Sequence, residues 1–436
     1  MTNREGVGNM ANSSGSTLSR RTYLKSAAAA ATAGIPWRQA SPTDTPPPRT
    51  KSVAVVATVY RPGSHADVLV GKILNGWKQD GGPGPALHVA SMYIDQFPKD
   101  DLARQTARQH QVPIVDTIDQ AVTLGNRRIS VDGVISIGEH GNYPVNARGQ
   151  RLYPRRRFFE EITNAFRKYD QVVPVFSDKH LGPVWSDAKW MYDRARQLRI
   201  PFMAGSSLPV SFRKPQIEVP LGCRIESAVG VGYDGLDIYG SHALDCYQSL
   251  VERRRGAETG VEWVQFLEGR QVSKAVDDIG LPRQLLKAAK SVVPSAKISI
   301  SPGQAPREGL FLFQYRDGLL GALFMLQTVN RISVAVQLEG HAHPHATQFE
   351  ERSSPRYPHF AYLLKAIERM IHTGKSSYPV ERTLLTSGIL DRGLRSRALS
   401  GQRLMTPELS IRYQPVDYPH APHPPLTSSP LAIPAS

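Results

Sequence analysis

The order of apolar and polar positions in the first half of the chain predicts strands that alternate with helices. Short β-rich apolar runs are each followed by a segment whose apolar residues recur at helical spacing. This alternation predicts a parallel, right-handed, doubly wound sheet of the α/β class. The predicted strands cover residues 51–59, 87–94, 112–115, 131–137, 172–176 and 200–204, and the predicted helices cover 64–77, 100–110, 118–124 and 186–198.

The fifth strand and the helix after it carry two local signals. Pro174 lies inside the predicted strand and has no backbone N–H, so we expect a bulge or an unpaired position there. Ser186 precedes the apolar stripe of the next helix and is its predicted N-cap.

The pattern changes after about Ser206, where longer β-rich runs predict a second, α+β domain with a mostly antiparallel sheet. Arg316-Asp317-Gly318 separates two of these runs and predicts a hairpin turn. The predicted strands cover 225–231, 310–315, 319–327 and 333–337, and the predicted helices cover 241–253, 282–289, 360–371 and 380–397.

Length and composition predict two domains between irregular ends. The chain has 436 residues, of which 40% are hydrophobic, enough for a large core. Pro-rich stretches mark a linker at 41–52 and a tail at 413–436. The remaining chain divides into a Rossmann-like domain at 53–205 and an α+β domain at 206–412.

The first forty residues resemble a twin-arginine export signal. Ser19-Arg20-Arg21-Thr22-Tyr23-Leu24-Lys25 precedes a weakly apolar, alanine-rich run. We therefore expect the chain to engage the twin-arginine export machinery and to reach the periplasm or an equivalent compartment. Because this pathway moves folded proteins, it favours a protein that acquires a cofactor in the cytoplasm before export, but it does not indicate which cofactor.

Charge and cysteine content narrow the classes of partner. The net charge is +15, and residues 41–436 carry 48 basic against 37 acidic residues, or +11, which favours anionic surfaces or substrates. The runs 155–157 and 253–255 are interpreted as solvated helix faces, and because aromatics do not interleave them no nucleic-acid partner is expected. Two cysteines provide no disulfide framework, and the absence of a long apolar run argues against a membrane anchor.

The predicted end of the fifth strand carries the strongest chemical signal. Asp178, Lys179 and His180 follow an apolar run directly. Ligands of open parallel sheets bind at the carboxyl ends of the strands, so these side chains are expected to project into a cleft.

A second polar group follows the fourth strand at the rim of the same cleft: Glu139, His140, Asn142 and Tyr143. Three roles remain open for it: substrate recognition, ligation of a divalent metal together with His180 and His242, or simple fixation of the loop by hydrogen bonds. The trio His341, His343 and His345 is interpreted as a solvated loop, because Pro344 interrupts any strand.

With these motifs in order, the chain resembles the Gfo/Idh/MocA family, the glucose-fructose oxidoreductase and inositol dehydrogenase group, over residues from about 52 to 409. Lys179 lies where the family carries the lysine of Glu-Lys-Pro, and His242 and Asp245 match its His-x-x-Asp. The resemblance implies a sugar or polyol oxidoreductase in which Lys179 and His242 exchange a proton with a hydroxyl and Asp245 orients the imidazole. It also implies a tightly bound nicotinamide cofactor, NAD(P), and an open-faced second sheet that serves a homo-oligomer.

The dinucleotide motif departs from the family pattern. Ala57, Val59 and Pro62 stand where three glycines are expected, and these glycines normally let the backbone approach the pyrophosphate. The cofactor-binding residues expected to remain are Tyr60, Arg61, Ser64, His65 and, as the ribose-binding acid, Asp95.

Two alternatives keep the fold and change the function. One is a metal-assisted carbohydrate lyase or hydrolase in which Glu139, His140, His180 and His242 bind the ion. The other is a carbohydrate-binding protein without turnover. The missing glycines favour these two, whereas the Lys179 and His242 matches favour the oxidoreductase.

Overall fold

The first half of the chain forms a six-stranded parallel sheet. The computed structural model describes residues 49–430 except 234, 280, 282 and 297–307, so the export-signal prediction lies outside the described residues. The strand order is β3-β2-β1-β4-β5-β6, the doubly wound order that the sequence predicts. These strands are β1 (Lys51–Ala57), β2 (Leu87–Ile94), β3 (Ile114–Val115), β4 (Gly133–Ile137), β5 (Val175–Asp178) and β6 (Phe202–Gly205).

Helices cover both faces of this sheet. Along β1, Val53 and Val55 belong to one apolar core, whereas Ala54 and Val56 belong to the other, as the two-residue period of a strand requires. Both faces of the strand are thus buried, which explains its continuous apolar run. The helices are α1 (His65–Asn75), α2 (Ala103–His110), α3 (Ile118–Thr123), α4 (Arg155–Lys168) and α5 (Trp185–Gln197).

Three details of the first half differ from the sequence prediction. Pro174 does not interrupt β5, because the strand begins one residue later, and the Pro174 carbonyl accepts the Val134 N–H. Helix α5 begins at Trp185 with Val184 as its N-cap, so Ser186 lies inside its first turn. Helix α4 has no counterpart among the predicted helices, and it begins with the arginine run 155–157.

The second sheet has eight strands in the order β14-β9-β10-β11-β8-β12-β13-β7. Among the described strands of this sheet only β8 and β11 pair in parallel, so the sheet is mostly antiparallel, as expected. The predicted hairpin around Asp317 and Gly318 is confirmed by the antiparallel pairing of β10 with β11. The strands are β7 (Phe212–Lys214), β8 (Ile225–Gly232), β9 (Val261–Glu268), β10 (Glu308–Tyr315), β11 (Leu320–Leu326), β12 (Ile332–Leu338), β13 (His345–Glu350) and β14 (Leu404–Met405).

The helices of the second half divide among three apolar cores. Helices α6 (Ile238–Val251) and α10 (Val380–Ala398) pack on one face of the second sheet, and α9 (Pro358–Thr373) returns to the core of the first sheet. Helices α7 (Arg270–Ile279) and α8 (Arg283–Ser291) bring apolar residues to the opposite face. The face expected to be open for a homo-oligomer is therefore partly covered by this chain.

The described part of the tail, 414–430, contains no helix or strand. It is nevertheless anchored, because Ala421 is buried in the first core and Lys365 Nζ donates to the Leu426 carbonyl at 3.3 Å. Within the described ranges, no helix has the length and apolar character needed to cross a bilayer. Both cysteines are free thiols. The domain boundary at 205/206 coincides with the end of β6 and stays a prediction.

Candidate active site

The carboxyl edge of the first sheet brings the predicted catalytic lysine to a pocket. Asp178 is the last residue of β5, and Lys179 follows it with a left-handed backbone, φ 63°. The Lys179 N–H donates to the Gly205 carbonyl at 3.1 Å, which holds this unusual turn in place. Non-glycine residues with positive φ are strained and cluster at functional sites. The turn aims the lysine across the cleft toward α6.

Lys179 and His242 form a buried pair. The Lys179 side chain is 4% exposed, and its Nζ lies 2.9 Å from His242 Nε2 and 3.4 Å from Glu139 Oε1. An ammonium can only donate, so the imidazole must offer its Nε2 lone pair to Lys179. Burial, and then the Lys179 charge, hold the pKa of His242 well below its usual range, which keeps the imidazole neutral.

Ser206, rather than Asp245, bonds the other nitrogen of His242. The Ser206 hydroxyl lies 2.5 Å from His242 Nδ1 and also accepts the Leu208 N–H at 3.1 Å. Because Nε2 accepts a hydrogen bond from Lys179, Nδ1 carries the ring proton, and this N–H donates a hydrogen bond to the Ser206 hydroxyl. The predicted orientation of the imidazole by Asp245 is thus corrected to an indirect one.

Asp245 acts on Ser206 through the backbone. Its Oδ2 accepts the Ser206 N–H at 2.8 Å, while Oδ1 is buried with no hydrogen-bond partner in the described structure. Gly205 permits this approach, because a Cβ there would lie 2.8 Å from Asp245 Oδ2. Burial raises the pKa of Asp245 to about 6, and neither Arg382 nor the Ser206 hydrogen bond offsets this.

Glu139 joins the lysine to a fully buried arginine. Arg155 is 1% exposed, donates to Glu139 Oε2 at 2.7 Å and lies 3.1 Å from His180 Nε2. Burial alone would raise the pKa of Glu139, but the Lys179 and Arg155 charges lower it to about 2, so the group is a carboxylate. The interpretation of Arg155 as part of a solvated helix face is therefore wrong.

Asp178 pairs with His65 rather than projecting freely into the cleft. Asp178 Oδ2 lies 2.6 Å from His65 Nδ1, and Asp178 is 1% exposed. The imidazole packs edge-on against Phe360 and His140, at ring-centroid distances of 4.7 and 5.5 Å. The Asp178 carboxylate accepts the Nδ1–H of His65 and so fixes the orientation of its ring.

Of these groups, His65, Glu139, His140, Lys179 and His242 line a pocket of about 320 Å³. This volume is at the lower end of the range for small-molecule sites. Burial lowers the pKa of His140 to about 4 and that of His359 to about 3, so neutral imidazoles and hydroxyls dominate its wall. The polar lining residues are His65, Glu139, His140, Tyr153, Lys179, Ser207, Tyr239, His242, Glu351, Ser353, Tyr357 and His359.

The sequence-predicted residues are only partly brought together. Lys179, His242, Glu139, His140 and His65 line the pocket. The others lie behind the wall or beyond it: Asp178, His180 and Asp245 are buried behind it, Asn142 is exposed, and Tyr143 bonds Asp95. Their individual roles stay predictions.

The turn between β1 and α1 contains most of the predicted cofactor-binding residues, and most of them make contacts within the protein instead of facing the pocket. Tyr60 is 2% exposed in the first core, and Arg61 lies 3.6 Å from Asp100 at the surface. The Ser64 hydroxyl caps α1 by accepting the Asp67 N–H. His65 faces the pocket.

Asp95 is in the predicted position for a ribose-binding acid, but its carboxylate is already occupied. Its Oδ2 accepts from Tyr143 at 2.7 Å, and its Oδ1 accepts from Tyr93 at 2.8 Å and from Arg157 at 2.5 Å. Burial would raise the pKa of Asp95, yet the hydrogen bonds from these three donors keep it below its ordinary value. The Asp95 carboxylate is therefore bonded by side chains of this chain, and its role as a ribose-binding acid stays a prediction.

The described residues contain no group of three histidine, cysteine or acidic side chains arranged to hold a metal. The reason is visible at Glu139, where the positions that an ion would take belong to Arg155 and Lys179. The metal-assisted alternative therefore has no support in the described structure.

The sequence prediction lacks Arg155 and Ser206, which lie behind the pocket wall, and seven polar residues of the wall itself: Tyr153, Ser207, Tyr239, Glu351, Ser353, Tyr357 and His359. Arg155 was assigned to a charge run, although its place at the start of an amphipathic segment with Phe158 and Phe159 was a usable signal. Ser206 carried no signal, because its partner His242 lies 36 residues away in the chain.

Comparison with known proteins identifies the fold. No protein-family model matches the chain, and no curated protein matches it significantly. Among solved structures, apo scyllo-inositol dehydrogenase from Lactobacillus casei aligns with a TM-score of 0.53 at 10% identity, covering 83% of this chain and 99% of that one. GenD2 from gentamicin A biosynthesis, in complex with NAD, aligns with a TM-score of 0.52 at 10% identity, covering 82% and 96%.

A probable dehydrogenase from Thermotoga maritima aligns with a TM-score of 0.51 at 10% identity, covering 82% of this chain and 99% of that one. At such low sequence identity the structural similarity establishes the fold, and the reaction has to be inferred from the residues of the pocket. The chain has the fold of the Gfo/Idh/MocA-type inositol and sugar dehydrogenases.

Proposed function

We propose that this protein is an oxidoreductase that acts on a sugar or polyol, with Lys179 and His242 as the pair that exchanges a proton with the reacting hydroxyl. The observation that carries the proposal is the contact of 2.9 Å between Lys179 Nζ and His242 Nε2 at the wall of the pocket. The fold shared with inositol and sugar dehydrogenases supports the same reaction class.

The chemistry of the pocket supports a polyhydroxyl substrate. Neutral imidazoles and hydroxyls can each donate and accept, as hydroxyl groups require. Lys179 donates one N–H to His242 and lies beside Glu139, which leaves a third N–H for a substrate oxygen. In the direction of reduction Lys179 is therefore the acid that protonates the substrate alkoxide. In the direction of oxidation Lys179 first passes a proton to the Nε2 lone pair of His242 and then accepts the proton of the substrate hydroxyl.

A nicotinamide dinucleotide would supply hydride chemistry, with Asp95 at its ribose end and the Gly63 and His65 turn beside the pocket. The NAD complex of a structural neighbour supports this choice. In the present conformation Asp95 Oδ2 already accepts a hydrogen bond from Tyr143.

The proposal is tested with Lys179→Met, and Lys189→Met serves as the matched control because Lys189 is a surface lysine paired with Asp193. A panel of inositols, hexoses and sugar acids is screened for NAD⁺ or NADP⁺ reduction at 340 nm. Lys179→Met should abolish turnover of any hit, whereas Lys189→Met should retain it, with circular dichroism confirming the fold of both. Full turnover by Lys179→Met would refute the assignment.

The internal hydrogen bonds of the Asp95 carboxylate favour a second candidate, a carbohydrate-binding protein without turnover. That function predicts polyol binding by ligand-observed NMR that persists in both Lys179→Met and His242→Gln, with no dinucleotide reduction by the wild-type protein.

We also propose export through the twin-arginine pathway, supported by Arg20 and Arg21 ahead of the alanine-rich run. Replacement of both arginines by lysine in the full chain should retain the protein in the cytoplasm. Unchanged export of that variant would refute the assignment.

A further inference from the structure

We propose that Glu351 determines which substrate the pocket accepts: its carboxylate pairs with the ammonium group of an amino sugar or amino polyol. The proposal rests on the oxidoreductase function proposed above, because it names the substrate class of the same pocket. Glu351 directly follows β13 and lines the pocket together with Lys179 and His242. It therefore belongs to the wall that a bound substrate contacts.

Within the described part of the chain, Glu351 lacks the counter-charge that the other carboxylate of the pocket wall has. Glu139 Oε2 lies 2.7 Å from Arg155, and its Oε1 lies 3.4 Å from Lys179. Glu351 is bonded by a neutral phenol instead, since the Tyr233 hydroxyl donates to its Oε1 at 2.7 Å. Charges that are removed from water are normally paired in proteins, so this arrangement leaves a place for a cation at Glu351.

The arginines nearest to Glu351 in the chain and in the fold have other partners. Arg352 pairs with Glu350, and its guanidinium lies over the Phe212 ring at 3.8 Å. Arg331 donates to a neighbouring backbone carbonyl. Burial raises the pKa of Glu351, although the Arg331 charge acts against this. A bound ammonium would supply the stabilisation that the charged form of Glu351 lacks.

Aromatic rings belong to the same wall as this carboxylate. Tyr233 and Tyr239 lie against each other at a ring-centroid distance of 4.3 Å, and Tyr239 lines the pocket. Tyr357 and Phe360 line it as well. Aromatic faces attract ammonium groups, and the negative charge of Glu351 adds to this attraction. The wall therefore favours a cationic group on two separate grounds.

The loop that carries Glu351 is anchored by two contacts from α1. The buried Lys72 Nζ donates to the Arg356 carbonyl, and Asp67 pairs with the Arg356 side chain at 2.9 Å. Tyr357, at the end of the loop, has a left-handed backbone with φ 52°. Non-glycine residues in this conformation persist where their surroundings hold them, and they cluster at ligand sites. A wall held in this way loses little conformational freedom on binding, so the charge of Glu351 contributes to affinity.

The pocket assigns different parts of the substrate to its two charged groups. Its volume of about 320 Å³, at the lower end for small-molecule sites, suits a single sugar or inositol ring. Lys179 exchanges the proton of the reacting hydroxyl, whereas Glu351 binds an amino group elsewhere on that ring. A sugar acid would bring a carboxylate toward Glu351, and like charges repel, so sugar acids should bind weakly.

The test measures dissociation constants by isothermal titration calorimetry of the full chain near neutral pH. The probes are scyllo-inositol and its monoamino derivative scyllo-inosamine, then glucose, glucosamine and glucuronate. Because the six hydroxyls of scyllo-inositol are equivalent, its amino derivative can turn the ammonium toward Glu351 in any register. At least one amine should bind about tenfold more tightly than its neutral parent, the factor typical of a hydrogen bond to a charged group. Glucuronate should bind more weakly than glucose.

Three variants separate the charge of Glu351 from its packing. Glu351→Gln should remove the advantage of the amine and leave the affinity for the neutral parent little changed. Glu351→Asp keeps the charge and should retain part of the advantage. Glu381→Gln is the matched control, because Glu381 also accepts a tyrosine hydroxyl, that of Tyr192 at 2.9 Å, and does not line the pocket. Circular dichroism checks the fold of each variant.

The outcomes distinguish this role from the proposed reaction. Equal affinities of the amines and their parents, an advantage that survives Glu351→Gln, or no binding of either amine would each overturn the role of Glu351. The Lys179→Met experiment would then decide the oxidoreductase function separately. A preference for amines that depends on Glu351, without dinucleotide reduction, would support the amine site and contradict the oxidoreductase function.

Discussion

Asp245→Asn should stabilise this protein at neutral pH. Asp245 is 4% exposed, and its Oδ1 has no hydrogen-bond partner within the described part of the chain. The contact that matters, Oδ2 with the Ser206 N–H at 2.8 Å, needs only an acceptor, which an asparagine carbonyl also provides. The substitution therefore removes a buried charge while keeping shape and bond.

The magnitude follows from the raised pKa. Burial raises the pKa of Asp245 from 3.8 to about 6, so between these values the folded state binds more protons than the unfolded state. Stability is then greatest at low pH and falls as pH rises through this window. A difference of about two pKa units, at 1.36 kcal/mol each, means that the buried charge lowers the free energy of unfolding by about 3 kcal/mol above pH 6. Near pH 5 the loss is about half of that.

Urea unfolding of wild type and Asp245→Asn at several pH values between 5 and 8 measures the effect. The advantage of the variant should grow with pH and level off above pH 6 to 7. Asp391→Asn is the control of opposite sign, because Asp391 is buried but lies 3.1 Å from Arg148 and should lose stability. If Asp245→Asn were no more stable than wild type at any pH, the buried carboxylate would not carry the inferred penalty.

Two other perturbations test the polar network. Arg155→Met removes the partner that lies 2.7 Å from Glu139 and should lower the free energy of unfolding by about 3–5 kcal/mol. Arg156→Met changes a half-exposed side chain and should lower it by less than about 1 kcal/mol. Similar urea midpoints for the two variants would contradict the argument from burial. Ser206→Ala should lower kcat on an identified polyol by about tenfold or more with little change in KM, because it frees His242 Nδ1 without touching the pocket wall, and Ser206→Thr should restore much of the loss. A change confined to KM would instead assign Ser206 to substrate binding.

The first sheet was predictable because its strands are short and apolar and because β1, β2, β3 and β5 each precede a segment with a helical apolar stripe. The second sheet was less so: β9 was missed, since Val261–Glu268 mixes Glu262, Gln265 and Glu268 with its apolar residues. Strand β13 begins at His345, so the interpretation of the histidine trio as a loop is wrong for its last member. The polar residues of β9 fall on both faces of the strand, so the segment shows neither a continuous apolar run nor strict alternation.

The sequence by itself determined the layered fold, the turn at Lys179 and the loss of the glycines, because these depend on residues close together in the chain. Tertiary structure decided which polar groups meet. The sequence alone indicates a surface charge at Arg155, whereas in the fold α4 buries this side chain against Glu139. The sequence likewise indicates an acid without partners at Asp95, whereas Tyr143 and Arg157, which lie 48 and 62 residues away in the chain, both donate to it. The energy of a buried charge depends on partners that no local pattern records, so the chemistry of this site emerges only when the strands and helices are assembled.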